Sequence, residues 1–283
     1  FYSPVYVFVN MRKRIITLKN ILTLSAFLFA SKSFAYDIKR IEPPFWWAGF
    51  QNKELQLMVY GDNISKLNPK ISYKGIQITK VHKVNSPNYL FIDLLLKKNK
   101  PKEFSIKFYE GKKRVLEYNY ELFKRQKTND KKETLNSADV IYLITPDRYA
   151  NGDEKNDEID LLLEKPNRKN KDGRHGGDLQ GIINNLDYIE DMGFTQIWLN
   201  PVLENNQPDY SYHGYSTTDY YKIDSRFGSN KLYQELSRKA KNRGVGLIKD
   251  LVLNHIGSGH WWMDDLPTND WLNYQDQYVQ TNH

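Results

Sequence analysis

Cysteine is absent from the 283-residue chain, which excludes a disulfide framework, a thiolate metal site and an anchor built on a lipidated cysteine. Long apolar runs are scarce. Ile21–Ala30 spans ten residues, about half of what a membrane-crossing helix needs, so no stable membrane anchor is expected. No glycine-rich phosphate loop is present, which removes the usual anchor of a phosphate-binding barrel enzyme. What remains is long enough to bury a sizeable core and to hold two domains.

The order of features at the start is that of a secretory signal: the basic Met11-Arg-Lys-Arg, the apolar run, then Ser33-Phe34-Ala35 with the small-x-small form of a cleavage site. Export to the periplasm or the exterior is expected, with cleavage near Ala35. Residues 1–10 precede Met11 and read as upstream sequence. Residues 1–35 carry five bases (Arg12, Lys13, Arg14, Lys19, Lys32) and no acid, so without them the net charge falls from +7 to +2. The remaining charge is split. Residues 36–137 hold 21 Lys/Arg against 11 Asp/Glu, and residues 138–283 hold 15 against 23. The lysines of the basic half alternate with apolar residues, as on a solvated sheet face, and no nucleic-acid partner is expected.

From Tyr36 to Phe123 the hydrophobic period is two. Leu55, Leu57 and Val59 alternate with polar neighbours, as do Ile76 and Ile78, Phe104, Ile106 and Phe108, and Leu116, Tyr118 and Tyr120. Turn signals separate them at Gly61-Asp62-Asn63, Lys74-Gly75 and Glu110-Gly111-Lys112. About seven short strands at this spacing predict an immunoglobulin-like β-sandwich over 36–123. Trp46-Trp47 at its start offers a sugar-stacking platform, but adjacent strand residues point to opposite faces. The structural expectation is one tryptophan in the core and the other on the next domain. Residues 124–137 are charged with little to bury, and mark a linker.

Beyond the linker, over 138–283, the pattern becomes strand, loop, helix. Val140–Ile144 reads as a short buried strand, and Asp178 starts a helix with Leu179, Ile182, Ile183, Leu186 and Ile189 on one face and a stop at Gly193. Thr195–Leu199 is the next strand. Ser229 caps a helix with Leu232, Leu236 and Ala240 inward and Gly244 as its stop. The apolar run that follows, ending in Asp250, Asn254 and His255, reads as a buried parallel strand delivering polar groups at its C-terminal end. In (β/α) barrels that end carries the chemistry.

The loop after the first of these strands, Pro146 to Asp157, places carboxylate and amide oxygens around a glycine turn. Several hard oxygen ligands on a backbone that can wrap suit calcium, whereas an Asx-rich turn is the plain alternative. Gly176-Gly177-Asp178 offers a further carbonyl and carboxylate. The segments Asp147-Arg-Tyr-Ala-Asn-Gly-Asp153, Tyr212-His-Gly-Tyr-Ser-Thr-Thr-Asp-Tyr220 and Asp250-Leu-Val-Leu-Asn-His255 occur in order. Together they resemble the α-amylase family of glycoside hydrolases. With Pro44-Phe-Trp-Trp-Ala-Gly-Phe50 and Leu55-Gln-Leu-Met-Val-Tyr-Gly61 ahead of them, the chain looks most like the neopullulanase and cyclomaltodextrinase branch of periplasmic starch utilisation.

That resemblance implies the first three βα units of an eight-fold TIM barrel after the sandwich, an α-glucan oligosaccharide ligand, and calcium. Asn151, Asp153, Asn156, Asp157, the Gly176 carbonyl and Asp178 match the calcium positions. Tyr215 matches an aromatic stacked on the sugar, where its π face also favours oxocarbenium charge. His213 and His255 match imidazoles bonding sugar hydroxyls, Asp250 an acid that orients an arginine, and Asn254 a structural amide or calcium ligand. The resemblance also implies retaining cleavage of α-1,4 bonds by two carboxylates and a third acid, in starch oligosaccharides, pullulan or cyclodextrins. Their positions in the family lie beyond His283, so the chain reads as a piece without catalytic acids of its own. Glu204 and Asp264-Asp265 are poor substitutes, the pair reading as a solvated turn. Three strands cannot close a barrel, so Ile197, Leu199, Leu247 and Ile248 are expected to lack covering partners and the second domain to be unstable. A homodimer through the sandwich is implied for the longer parent. The rival from another class is a non-catalytic α-glucan-binding protein. N-terminal sequencing of exported protein is expected to begin near Tyr36, and a mature chain still starting at Met11 would contradict the signal reading.

Overall fold

The computed structural model describes residues 36–97, 100–125 and 135–273; the signal-like segment, most of the expected linker and residues 274–283 lie outside it. Alternation decides the first half. Eight strands, β1 (Arg40–Glu42), β2 (Trp46–Ala48), β3 (Glu54–Tyr60), β4 (Asn68–Ile71), β5 (Ile76–Lys83), β6 (Tyr89–Leu96), β7 (Lys102–Glu110) and β8 (Lys113–Lys124), form two four-stranded sheets. Their orders are β1-β3-β6-β5 and β2-β8-β7-β4. The expected count was about seven, and β1 and β2 are too short for a period of two to register. Leu57, Val59, Ile92, Ile106, Phe108 and Leu122 are fully buried or nearly so, each on the inward side of its pleat.

Strand β6 departs from simple alternation, because Tyr89 through Ile92 are all buried. One face serves the sandwich core. Tyr89 and Phe91 on the other join Met58 in a cluster packed against Trp261 and Trp262 from the second half of the chain. The Tyr89 hydroxyl donates to the Asp265 carbonyl at 2.5 Å and the Asn88 amide to the Asp265 carboxylate at 2.7 Å. Asp265 is therefore a docking residue and not part of a solvated turn. Trp261, Trp262 and Trp271 are tryptophans of the second half that meet the sandwich. Trp46 and Trp47 are both half-buried, with Phe45 and Phe50 among their ring neighbours, so the expected split between core and neighbouring domain does not hold.

In the second half, β9 (Ile141–Ile144), β10 (Gln196–Leu199) and β13 (Gly246–Lys249) form a parallel sheet in the order β13-β10-β9. The connection from β9 to β10 passes through α1 (Pro146–Tyr149), α2 (Leu179–Asn184) and α3 (Leu186–Asp191); α4 (Asn230–Asn242) joins β10 to β13. Two short strands, β11 (Leu203–Glu204) and β12 (Asp219–Ile223), pair antiparallel in the loop between them. The single helix expected from Asp178 is broken at Asn185, whose amide donates to the Gly181 carbonyl at 2.7 Å and interrupts the ladder. The helix starts are otherwise those of the sequence. Asp178 caps α2 through Gly181 N at 2.6 Å, and Ser229 caps α4 through Leu232 N at 3.1 Å.

This is part of a barrel wall: two βα crossovers and a third strand, followed among the described residues by only a 3-10 turn, Trp261–Asp264. The expected third helix does not appear among them. The helix-facing side is closed, with Ile197 and Leu199 buried among Leu179, Ile182, Ile189, Leu236 and Ala240. Their expected loss of partners is therefore corrected, because α2, α3 and α4 supply them. The opposite face and the edges are open. Ile141 and Leu143 are exposed, β13 is half-buried at best, and Leu251 and Leu253 beyond it are exposed. The first and third strands are thus not the buried strands that their apolar content suggested. No helix among the described residues is long and apolar enough to cross a membrane.

Candidate functional site

The parallel sheet sends the chain out at the C-terminal ends of β10 and β13, and the polar residues expected there meet one another. The Tyr215 hydroxyl lies 3.1 Å from Asp250 Oδ2, and Trp198 Nε1 lies 3.3 Å from the same oxygen. His255 Nε2 donates to the Tyr215 carbonyl at 2.8 Å, while Tyr215 N donates to His213 Nδ1 at 3.0 Å. Asn254 sits against His255 with its amide nitrogen 3.3 Å from Nδ1. These contacts settle tautomers. A ring nitrogen that accepts a backbone N–H is unprotonated, so neutral His213 carries its proton on Nε2. Burial lowers the His213 pKa, with an opposing pull from Glu164, which favours that neutral ring.

Local geometry holds the constellation in place. Gly214 adopts φ 83° between His213 and Tyr215, and a Cβ there would collide with the Pro201 carbonyl oxygen. Only glycine meets both demands. The Tyr220 hydroxyl lies 2.9 Å from the carbonyl oxygens of both Val252 and His255, tying the segment after β13 to β12. Tyr215 remains 39% exposed, so its ring can still be covered by a ligand. Burial first, then the Asp250 carboxylate, raises its phenol pKa and keeps it a hydrogen-bond donor.

The oxygen-rich loop also closes on itself. Asn151, Asp153, Asn156, Asp157, Gly176 and Asp178 come together through short contacts. Asn151 Nδ2 donates to Asp157 Oδ1 at 2.7 Å, and Asn156 Nδ2 donates to Asp178 Oδ2 at 2.9 Å. Gly152 N and Asp153 N donate to the two Asp178 oxygens at 3.0 Å each, and a Cβ on Gly176 would meet the Asp157 carboxylate at 2.6 Å. Asn156 Oδ1 is buried without a partner. Asp178 also accepts from Gly181 N, so each of its oxygens takes two donors. Among the described residues no three acidic, histidine or cysteine side chains converge as a metal cluster; the set is a mixture of carboxylates, amides and one carbonyl.

Sequence reasoning missed the support beneath both groups. Arg226 is 1% exposed and grips Asp224 through Nε at 2.9 Å and Nη2 at 2.8 Å. It also donates to the carbonyls of Glu164 and Asn205 at 3.0 and 2.9 Å. Asp224 accepts Asn205 N at 3.1 Å. Arg174 stacks on Phe227, with its guanidinium carbon 4.7 Å from the ring centroid, and donates to Ser211 Oγ at 3.2 Å. Glu164 accepts Ser211 N at 2.7 Å. Asp147 pairs with Arg148 and accepts the backbone N–H groups of His175 at 2.8 Å and Gly176 at 3.2 Å. The one sequence signal was Asp-x-Arg just before the cap Ser229, which reads equally well as an exposed turn. Glu204 proves to be engaged by Lys222 at 2.6 Å and by Thr218 at 3.2 Å.

Residues 143–283 match the family model described as the α-amylase catalytic domain, and residues 40–126 match that of the cyclomaltodextrinase N-terminal domain. The chain is 46% identical over 123 residues to a beta/alpha-amylase of Paenibacillus polymyxa, covering 43% of this chain and 10% of that protein. It is 37% identical over 151 residues to a cyclomaltodextrinase of Thermoanaerobacter pseudethanolicus, covering 50% and 25%. Neopullulanase 2 of Thermoactinomyces vulgaris is 36% identical over 141 residues, covering 49% and 23%. Among solved structures, a cyclic α-maltosyl-(1→6)-maltose hydrolase from Arthrobacter globiformis is 36% identical, with 45% of this chain and 28% of that one covered and a TM-score of 0.39. The chain thus spans a quarter or less of the length of these curated relatives.

The buried ion pair gives a direct test. Arg226→Met leaves Asp224 charged and unpaired in the interior, and is expected to cost roughly 3–5 kcal/mol in denaturant unfolding. Although burial opposes it, Arg226 holds the Asp224 pKa below its ordinary value. The pair's contribution is therefore present above that ordinary value and is lost as pH falls through the depressed one. A loss under about 1 kcal/mol would show that the pair does not hold the loops.

Proposed function

Because the chain belongs to the α-amylase family of glycoside hydrolases, we propose that it forms the sandwich and the first part of the barrel wall of an exported enzyme acting on starch-type α-glucans. The observation that carries this reading is the Tyr215, Asp250, His213 and His255 constellation at the C-terminal end of the parallel sheet. An aromatic face beside imidazole and carboxylate groups matches the alternating apolar and hydroxylated surface of a glucose ring. His213 Nε2–H donates to a sugar hydroxyl, Tyr215 covers the ring, and Asp250 is held through one oxygen by Tyr215 and Trp198. The α-1,4 specificity and the retaining pathway belong to this proposal. Retention calls for two carboxylates about 5–5.5 Å apart across the bond. Asp250 is the one acid of the constellation. Glu204 is engaged with Lys222, and Asp265 is held by Asn88 of the sandwich.

With Asp250 as its one acid, the constellation is accordingly proposed to bind α-glucan without turning it over. Calorimetric titration with maltoheptaose is expected to show binding that weakens about tenfold in Tyr215→Ala, the order of one lost aromatic packing contact. No reducing-sugar release is expected from pullulan or cyclodextrin. Equal affinity in the wild type and the variant would contradict the placement of the site. Turnover by the chain would contradict the assignment of its acids.

Calcium is proposed for the loop cluster. Asn151, Asp153, Asn156, Asp157, the Gly176 carbonyl and Asp178 would hold it, and the fit rests on the partnerless buried Asn156 Oδ1 and on two carboxylates that each accept a side-chain amide, Asp157 from Asn151 and Asp178 from Asn156. The ion would bind the two loops after β9 to one another and take no part in bond cleavage. A hundredfold excess of calcium over its Kd is expected to add about 2.7 kcal/mol of stability, abolished in Asp157→Ala. Thermal unfolding unaffected by calcium and chelator alike would remove the ion from the account.

A further inference from the structure

Where β1 of the sandwich meets β12 of the barrel part, two carboxylates reach for one guanidinium. Arg40 Nη1 lies 2.9 Å from Asp219 Oδ2 and 3.3 Å from Glu42 Oε1. Asp219 has the better share, since its other oxygen also accepts Tyr221 N at 2.9 Å. Glu42 has only the longer contact, yet its side chain is 12% exposed. It faces a cavity of about 340 Å³ that runs between the two halves and is lined also by Lys39, Tyr118, Tyr221 and Lys222. The two lysines are engaged elsewhere, Lys39 with Asp62 and Lys222 with Glu204. The guanidinium itself stacks over Trp261, 4.9 Å from the ring centroid. One cation therefore serves two acids in a half-buried seam.

We propose that Glu42, Arg40 and Asp219 form a pH-operated latch between the sandwich and the barrel part, closed when Glu42 carries a proton and loosened when both carboxylates are charged. Burial, opposed by Arg40 and reinforced by Asp219, pushes the Glu42 pKa up to about 7 from an ordinary 4.5. His260 acts in the opposite sense and equally in any Glu42 variant: buried as the neutral ring, it loses stability as pH falls from its ordinary 6.5. Burial pushes His260, beside Asp219 and Arg40, down to about 4, and Tyr221 up to about 12. Burial also raises the phenol pKa of Tyr89, on the β6 side. An acid whose pKa is higher in the docked state binds its proton more tightly there. The Glu42 contribution to docking is thus fully present below about pH 4.5 and is lost as pH rises toward 7. The geometry depends on neither the α-glucan reading nor calcium.

Thermal unfolding of the full chain between pH 4 and 8 tests the latch in wild type and in Glu42→Gln, an isostere of the protonated acid. Wild type is expected to lose stability relative to the variant across pH 4.5 to 7, equivalent to a roughly hundredfold weaker docking equilibrium. Glu42→Gln should lack that step. Superimposable pH profiles would overturn the proposal. Should the variant fail to fold, carboxyl-carbon NMR of labelled wild-type chain reads Glu42 directly. A midpoint well above 4.5 supports the latch, and one at the ordinary value overturns it.

Discussion

The loops that carry the site depend on one buried interaction, the Arg226–Asp224 pair. Charges this deep are stabilising only when nearly every donor and acceptor is matched, and the matching here reaches outward. Arg226 fixes the carbonyls of Glu164 and Asn205, Glu164 fixes Ser211 N, and Ser211 receives Arg174. The chain between β9 and α2 and the chain between β10 and β12 are thereby joined under a polar surface. His213 and Tyr215 lie on the second of these, immediately after Ser211. Their position over the sheet is a consequence of ion pairing several residues away.

A second constraint ties this assembly to the sandwich. β6 is buried on both faces because it serves two cores, its own and the aromatic cluster under Trp261 and Trp262. The segment that leaves β13 through Asp250 and His255 therefore continues into residues anchored on the other half of the molecule. Tyr220 braces the same segment from β12, the strand that also supplies Asp219 to Arg40. The Tyr215 constellation, the domain seam and the shared guanidinium are linked through short stretches of chain.

Much of the fold was legible because periodicity and caps are local. Leu57 and Val59, Ile106 and Phe108, the cap Ser229 and the stops at Gly193 and Gly244 report what their own segment does. What was not legible depended on partners distant in sequence. The double burial of Tyr89 and Phe91 needs Trp261. The role of Asp265 needs Asn88. Leu143 and Leu253 carry the composition of buried strands, yet they lie exposed at the margins of a three-stranded sheet, and no local pattern distinguishes those cases. At the site, His213, Tyr215, Asp250 and His255 could be named because they stand in motifs. Arg174, Glu164, Asp224 and Arg226 could not, since a buried charge and a solvated one look alike in sequence.

The central claim is that the Tyr215 constellation is where this chain meets an α-glucan. A crystal structure of residues 36–283 with maltotriose bound reads it most directly. The account predicts a glucose ring against the Tyr215 face with a hydroxyl within hydrogen-bonding distance of His213 Nε2. Sugar bound instead on the Phe45, Trp46 and Trp47 cluster, with Tyr215 bare, would contradict it.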